Sequence, residues 1–406
     1  MNTRMDRSRF QIGAYCLAPY ARTERHIREI AQCGIDFMIG VPNDRAVLDH
    51  FAKYGVGAVV NGVVPGWFGG KGENAGTMEK ERPFLLYEAA AQKFEDHPAI
   101  WAIDIGDEPS SVDFPHYGKV YERVEQLFPK QFAYLNLYPG YGMLASNTPE
   151  EIVAQLGTDT YREYLDRYCE NFTADYLCHD YYLYSASAKA AYENFEAVSE
   201  ICRRTEKSMW TVLQVNSHTP DRQISENQLR FQAYLAMAFG TQLISWACYT
   251  AGWWHHQVLD GNGEKTEQYE KLQKVNAELH HIGETYMQYR NVSTRLIGTP
   301  TAVWDGIECA SSADFRGFRD LCVTGGGCVV VGEMVSRESD GSCALLLFGA
   351  DDPTDTCPKA YAVRFRVDAP CVRVIDETGE RTLFPQEDGS YCLQFGSSRG
   401  LLLTTQ

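Results

Sequence analysis

Residues 99–109 read AIWAIDIGDEP, an apolar run that ends in a glycine, two adjacent acids and a proline. Ile100, Trp101, Ile103 and Ile105 suit a strand covered on both faces, as in a parallel sheet. Gly106 and Pro109 stop that strand and leave Asp107 and Glu108 at its C-terminal edge. In a β/α barrel this edge carries the catalytic groups. The stretch therefore decides the fold if seven similar units accompany it.

They do. Strand patterns are predicted at 11–19, 35–41, 57–64, 99–106, 132–137, 176–184, 209–215 and 243–250. Helical patterns alternate with them at 24–33, 44–54, 83–96, 114–128, 149–171, 190–207, 226–239 and 267–289. Ile27 and Ile30 recur at helical spacing before Gly34. Thr148, Pro149 and Glu151 supply a cap, a first-turn proline and a capping-box acid. Eight alternations predict a (β/α)8 TIM barrel. An open doubly wound sheet is disfavoured, because no GxGxxG turn follows the first strand. Beyond residue 290 helical periodicity gives way to strand runs at 328–333, 343–348, 362–367 and 372–375, parted by turn signals. The expected organisation is a barrel over 1–290 and a smaller all-β, sandwich-like domain over 291–406.

The 406-residue chain carries a formal charge of −17, which argues against nucleic acid as a partner. No apolar run approaches the ~18 residues of a membrane helix. The first residues, MNTRMDRSRFQ, lack the apolar core of a signal peptide, and the 13 cysteines form no CxxC pair. A cytoplasmic location with reduced thiols is expected, with no membrane partner and with a homo-oligomer left open. No cofactor is implied.

Placed at the C-terminal ends of the predicted strands, the polar and aromatic residues form one set. Tyr15, Asn61, Asn136, Tyr182, Gln214, His218, Trp246, Trp253 and Trp254 are the expected substrate contacts. Such residues suit a sugar, whose hydroxyls need polar partners and whose ring needs an aromatic face. Glycosidic cleavage requires a proton donor and a second carboxylate. Glu108 is the expected acid, since neighbouring Asp107 disfavours its ionisation. As sequence neighbours on a strand, these two are expected to diverge. A metal site built from His179, Asp180, His255 and His256 is disfavoured by the same alternation, and Cys322 and Cys328 have no matching second pair. No metal ligands are assigned.

HPAIWAIDIGDEP at 97–109, HDYYLY at 179–184 and ISWACYTAGWW at 244–254 resemble the barrels of clan A glycoside hydrolases. The nearer likeness is to β-galactosidase-like members with a Gly-Asp-Glu-Pro motif on strand four, and it covers most of residues 11–290. The resemblance implies Glu108 as acid/base and Trp246, or Trp253 and Trp254, as a sugar platform. It also implies a glutamate nucleophile at the end of strand seven, where this chain has Gln214. An amide is not an ordinary nucleophile. Three readings remain open: a second carboxylate from elsewhere, with Asp180 first and Asp107 and Asp260 behind it; an inverting or substrate-assisted reaction; or a barrel that binds sugar without cleaving it. A metal-dependent sugar isomerase or epimerase is the rival from another class.

Overall fold

The computed structural model describes residues 4–144, 146, 148–250, 252, 254–338, 340–354, 356, 359–397 and 399–405. Eight parallel strands form the barrel: β1 (Gln11–Tyr15), β2 (Phe37–Pro42), β3 (Gly57–Asn61), β4 (Ile100–Asp107), β5 (Phe132–Asn136), β6 (Tyr176–Tyr181), β7 (Ser208–Gln214) and β8 (Thr241–Ala247). The hydrogen-bonded order runs β5-β4-β3-β2-β1-β8-β7-β6. Leu137 closes the ring, pairing in parallel with His179 and donating its N–H to Cys178 O at 2.9 Å. The fold is a (β/α)8 barrel.

Local chemistry places the helices. The capping box at Thr148 and Glu151 forms as expected, with both N–H···O bonds at 3.2 Å. The single helix expected over 149–171 is two, Pro149–Leu156 and Tyr161–Asn171. Gly157 takes a left-handed φ of +72° and ends the first, and the Thr160 side chain caps the second. A two-residue strand, Trp67–Phe68, lies parallel to Gly106–Asp107 and was not predicted.

The last barrel helix, Glu267–Tyr286, leads into strand Tyr289–Gly298 of the second lobe. A seven-stranded sheet and a four-stranded sheet (Ser312–Phe315, Phe318–Thr324, Ala360–Arg366 and Tyr391–Gly396) make up this lobe. More strands are present than the sequence pattern predicts, because half-exposed ones such as Gly379–Leu383 lack a continuous apolar run. The central strands of the larger sheet are buried on both faces. Val329, Val331, Leu345 and Leu347 meet the smaller sheet, whereas Val330, Leu346, Phe348 and Leu402 join the barrel core. Strand alternation divides one apolar run between two cores. No helix among the described residues is long and apolar enough to cross a membrane.

Candidate active site

The GDEP turn sits at the C-terminal end of β4 and is clamped from outside the barrel. Tyr117 donates its hydroxyl to Ile105 O at 2.6 Å, and Tyr164 donates to Pro109 O at 2.8 Å. The pairing of β4 with β5 shifts register between Asp104 and Gly106. Such a bulge re-aims the side chains that follow it. Gly106 has φ +149°, and a Cβ there would lie 2.1 Å from Trp67 O, so only glycine fits. Glu108 takes φ +46°. These departures cancel strand alternation. Asp104 and Asp107 line one cleft, and Asp107 acts on Glu108 through its charge, so the expected divergence of Asp107 from Glu108 does not separate them.

Asp180, at the end of β6, faces the same space, and Glu108 stands within hydrogen-bond reach of it. Asn136 Nδ2 donates to Asp107 Oδ1 at 3.0 Å and to Asp180 Oδ1 at 3.4 Å. Below them runs a floor of neutral groups. Tyr15 and Tyr134 share a 2.5 Å hydroxyl contact, Tyr134 meets Cys178 Sγ at 3.4 Å, and Cys178 reaches Asn136 Oδ1 at 3.5 Å. Burial pushes every carboxyl upward, Asp107 to about 6, Asp104 to about 7 and Asp180 to about 8. Asp107 adds to the shifts of Asp104 and Asp180, whereas Asn136 opposes those of Asp107 and Asp180. Glu108 is pushed well above its ordinary range by burial, then by Asp180 and Asp107. No Lys or Arg contributes to any of these shifts.

Aromatic groups rim the cluster. Tyr182 comes within hydrogen-bond reach of Asp180. Its ring meets Trp254 edge-on at 4.9 Å, and Trp254 meets His218 at 4.1 Å. Burial pushes the His218 imidazole down, which favours its neutral form. On the opposite side Asn61, Trp67, Phe68, Arg82, Asp104 and Asp107 line a cleft of about 330 Å3.

Several expected roles change. Trp246 is no platform: it is fully buried and donates from Nε1 to Asn276 Oδ1 on the last barrel helix at 2.9 Å. It occupies the outward parity of β8. Trp253 lies outside the described residues. Gln214 is buried, and its Oε1 accepts from Tyr184 N at 3.2 Å, so this amide oxygen braces the loop after β6. Asp260 accepts the N–H groups of Asn262 and Glu264 in a turn and stays apart from the cluster. His179 points away from Asp180 onto Phe195, at 5.7 Å between ring centres, as alternation predicts. Among the described residues no three His, Cys, Asp or Glu side chains are grouped to hold a metal ion. Asp104 went unnoticed in the sequence, although an acid inside the apolar run IWAIDI was a visible signal.

No protein-family model matches the chain, and no curated protein matches it. Solved structures do resemble it. A Paenibacillus sp. cycloisomaltooligosaccharide glucanotransferase, complexed with cycloisomaltoheptaose, has a TM-score of 0.58 at 7% identity, over 98% of this chain and 85% of its own. A glycoside hydrolase family 5 mannosidase from Rhizomucor miehei gives 0.44 at 11% identity, over 68% and 94%. A family 2 β-galacturonidase from Eisenbergiella tayi gives 0.46 at 12%, over 66% and 51%. At such identities the likeness is one of fold, and the first of these spans both lobes.

Proposed function

We propose that this protein is a glycoside hydrolase acting on a small oligosaccharide or glycoside, with Asp107, Glu108 and Asp180 as its catalytic carboxyl groups. One observation carries the reading: half-buried Asp107 and Glu108 from one strand and fully buried Asp180 from another come together at the C-terminal end of the barrel, and none of the three forms an ion pair among the described residues. Perturbed acids in a cleft mark functional sites more often than structural ones. Their environments also divide the work. Glu108, pushed toward its protonated form by burial, Asp180 and Asp107, is the general acid. Asp180 is the first carboxyl to act on Glu108, by charge and by hydrogen bonding. Asp180 therefore shares the proton of Glu108 and positions it. Asp107 ionises most readily of the cluster and is the carboxylate that meets the positive charge developing on the sugar. Its Oδ1 is held by the same amide as that of Asp180, at 3.0 and 3.4 Å. Gln214 then needs no catalytic role. Tyr182, Trp254 and His218 on one side, and Asn61 and Phe68 on the other, suit sugar rings. The likeness to carbohydrate-acting barrels supports the reading at the level of fold.

A panel of nitrophenyl glycosides and short oligosaccharides tests it. Wild type is expected to release product with a bell-shaped kcat/KM, rising through about pH 6 as Asp107 ionises and falling at higher pH as the Glu108–Asp180 pair loses its proton. Asp107→Gly is expected to be rescued by azide with formation of a glycosyl azide. Saturable sugar binding without product would instead establish a barrel that binds and does not cleave. Activity abolished by EDTA would favour the isomerase.

A further inference from the structure

Cys16 and Cys248 follow directly on β1 and β8, at the same end of the barrel as the carboxyl cluster. The two strands are neighbours, with Ala14 opposite Trp246, and they stay tied beyond their ends. Tyr249 N donates to Tyr15 O at 2.8 Å. The Thr250 hydroxyl donates to Cys16 O at 2.8 Å and accepts from Ala18 N at 2.7 Å. The thiols consequently meet across the seam, within hydrogen-bond reach of each other. Neighbouring strands lie about 4.7–4.9 Å apart, inside the about 4.4–6.8 Å that a disulfide spans between Cα atoms. Cys16 also holds φ +69°. A non-glycine residue occupies that left-handed region at a cost, and such strain gathers at functional positions.

The two thiols are unequal. Cys16 is half-buried, whereas Cys248 is 5% exposed. The hydrogen bond from Cys248 pulls the Cys16 thiol below its ordinary range, against burial and the charge of Asp107. The same bond, then burial, pushes Cys248 well up. Burial also pushes Cys33, Cys178, Cys202 and Cys328 up. A reachable thiol with a stabilised thiolate, beside a protonated partner, is the arrangement of a peroxide-reactive cysteine and its resolving cysteine. The disulfides that form in reducing compartments are mostly transient and redox-sensing. The pair also borders the site: Asp107 acts through its charge on both thiols, and Cys248 acts on Tyr182.

We propose that Cys16 and Cys248 form a redox-responsive modification site, closed into a disulfide by a hydroperoxide. The Cys16 thiolate attacks one peroxide oxygen, the O–O bond breaks, and hydroxide leaves and takes up a proton as water. The Cys16 sulfur is then a sulfenic acid. Cys248 gives up its proton and attacks that sulfur; the S–S bond forms, the S–O bond breaks, and the departing hydroxide becomes a further water. The thiols are oxidised, the peroxide is reduced, and a dithiol reductant reverses the bond. A covalent bond is shorter than a hydrogen-bonded sulfur contact, so closure draws the ends of β1 and β8 together beside Asp107.

Treating the reduced full chain with hydrogen peroxide, then alkylating it and mapping peptides by mass spectrometry, tests this. The Cys16–Cys248 disulfide is expected to form first. Cys309 and Cys328 also lie within hydrogen-bond reach of each other, but burial pushes both thiols up, and they are expected to lag. Cys248→Ala is expected to leave Cys16 as a sulfenic acid that dimedone labels, and Cys16→Ser to abolish both products. On the glycosidase reading, oxidation is expected to lower kcat/KM about ten- to hundredfold. Dithiothreitol is expected to restore it, and Cys16→Ser to keep its activity in peroxide. The mass readout needs no turnover, so a protein inactive even when reduced would fail the glycosidase reading alone. Cys16 and Cys248 both alkylated after peroxide treatment would overturn the proposal. Peroxide inhibition that persists in Cys16→Ser, or unchanged kcat/KM in the fully oxidised protein, would also overturn it.

Discussion

Buried acids occur in both lobes, and they are treated in opposite ways. In the sandwich lobe Asp376 accepts from Thr378 Oγ1 at 2.6 Å and Thr378 N at 2.9 Å, and pairs with Arg381. Burial pushes its carboxyl up, but these partners outweigh burial and hold it below the ordinary range. Asp351 likewise receives Cys328 N at 2.9 Å, Tyr361 Oη at 3.0 Å and Lys359 at 3.3 Å. At the barrel mouth Asp180 is as deeply set and Asp104, Asp107 and Glu108 are half-buried, yet neutral amides, hydroxyls and backbone N–H groups are their donors and carboxyls their closest charged neighbours. Burial alone is therefore not the mark of a working acid. On the proposed reading the mark is the lack of an ion-pair partner among the described residues, because it leaves protons free to move.

Four substitutions or conditions sharpen or break this contrast. Glu108→Gln is expected to lower turnover on unactivated glycosides by about 10²–10⁴-fold, with no loss of stability; wild-type turnover removes the acid assignment. Asp351→Ala is expected to do the reverse. It strands Cys328 N and Tyr361 Oη and costs about 2–4 kcal/mol in urea unfolding, while kcat/KM holds. The third concerns pH. The mouth carboxyls bind more protons folded than unfolded, so their contribution is full below the unfolded carboxyl pKa and fades as pH rises through about 6 to 8. Unfolding free energy is expected to fall by more than about 1 kcal/mol between pH 5 and 9, and Asp180→Asn is expected to flatten that slope. A slope unchanged in this variant breaks the comparison. Trp246→Phe, which deletes the bond to Asn276 and leaves a small cavity in place of the indole, is expected to cost about 2 kcal/mol and leave kcat/KM as it was. A large kcat loss would return Trp246 to the cleft.

The barrel was legible because its strands are covered on both faces and its helices are not, so two periods alternate along the chain. The same property hid the parity of each strand. Trp246 and its neighbours Ser245 and Ala247 are all buried, so apolarity cannot tell the inward side chain from the outward one. The motif at 106–109 was visible as chemistry but not as geometry. Only the bulge after Asp104, which follows from pairing with β5, brings Asp104 and Asp107 into one cleft. Asp180 was found from its position at a strand end. Its contact with Glu108 bridges two strands that are not adjacent in sequence, and no local pattern encodes that.

The seven-stranded sheet sets the size of the piece that can be moved between proteins. Its outward face is the inner wall of the sandwich, and its other face is barrel core, where Phe348 meets Phe231 at 5.3 Å and Asn291 Nδ2 reaches Ala238 O at 2.8 Å. Cutting the chain after Tyr286 would strip Phe231 and its neighbours of their cover, and the excised strands would expose Val330, Leu346 and Leu402 in turn. Neither lobe is a transplantable cassette. Recombination, tagging or insertion has to treat both lobes as a single block.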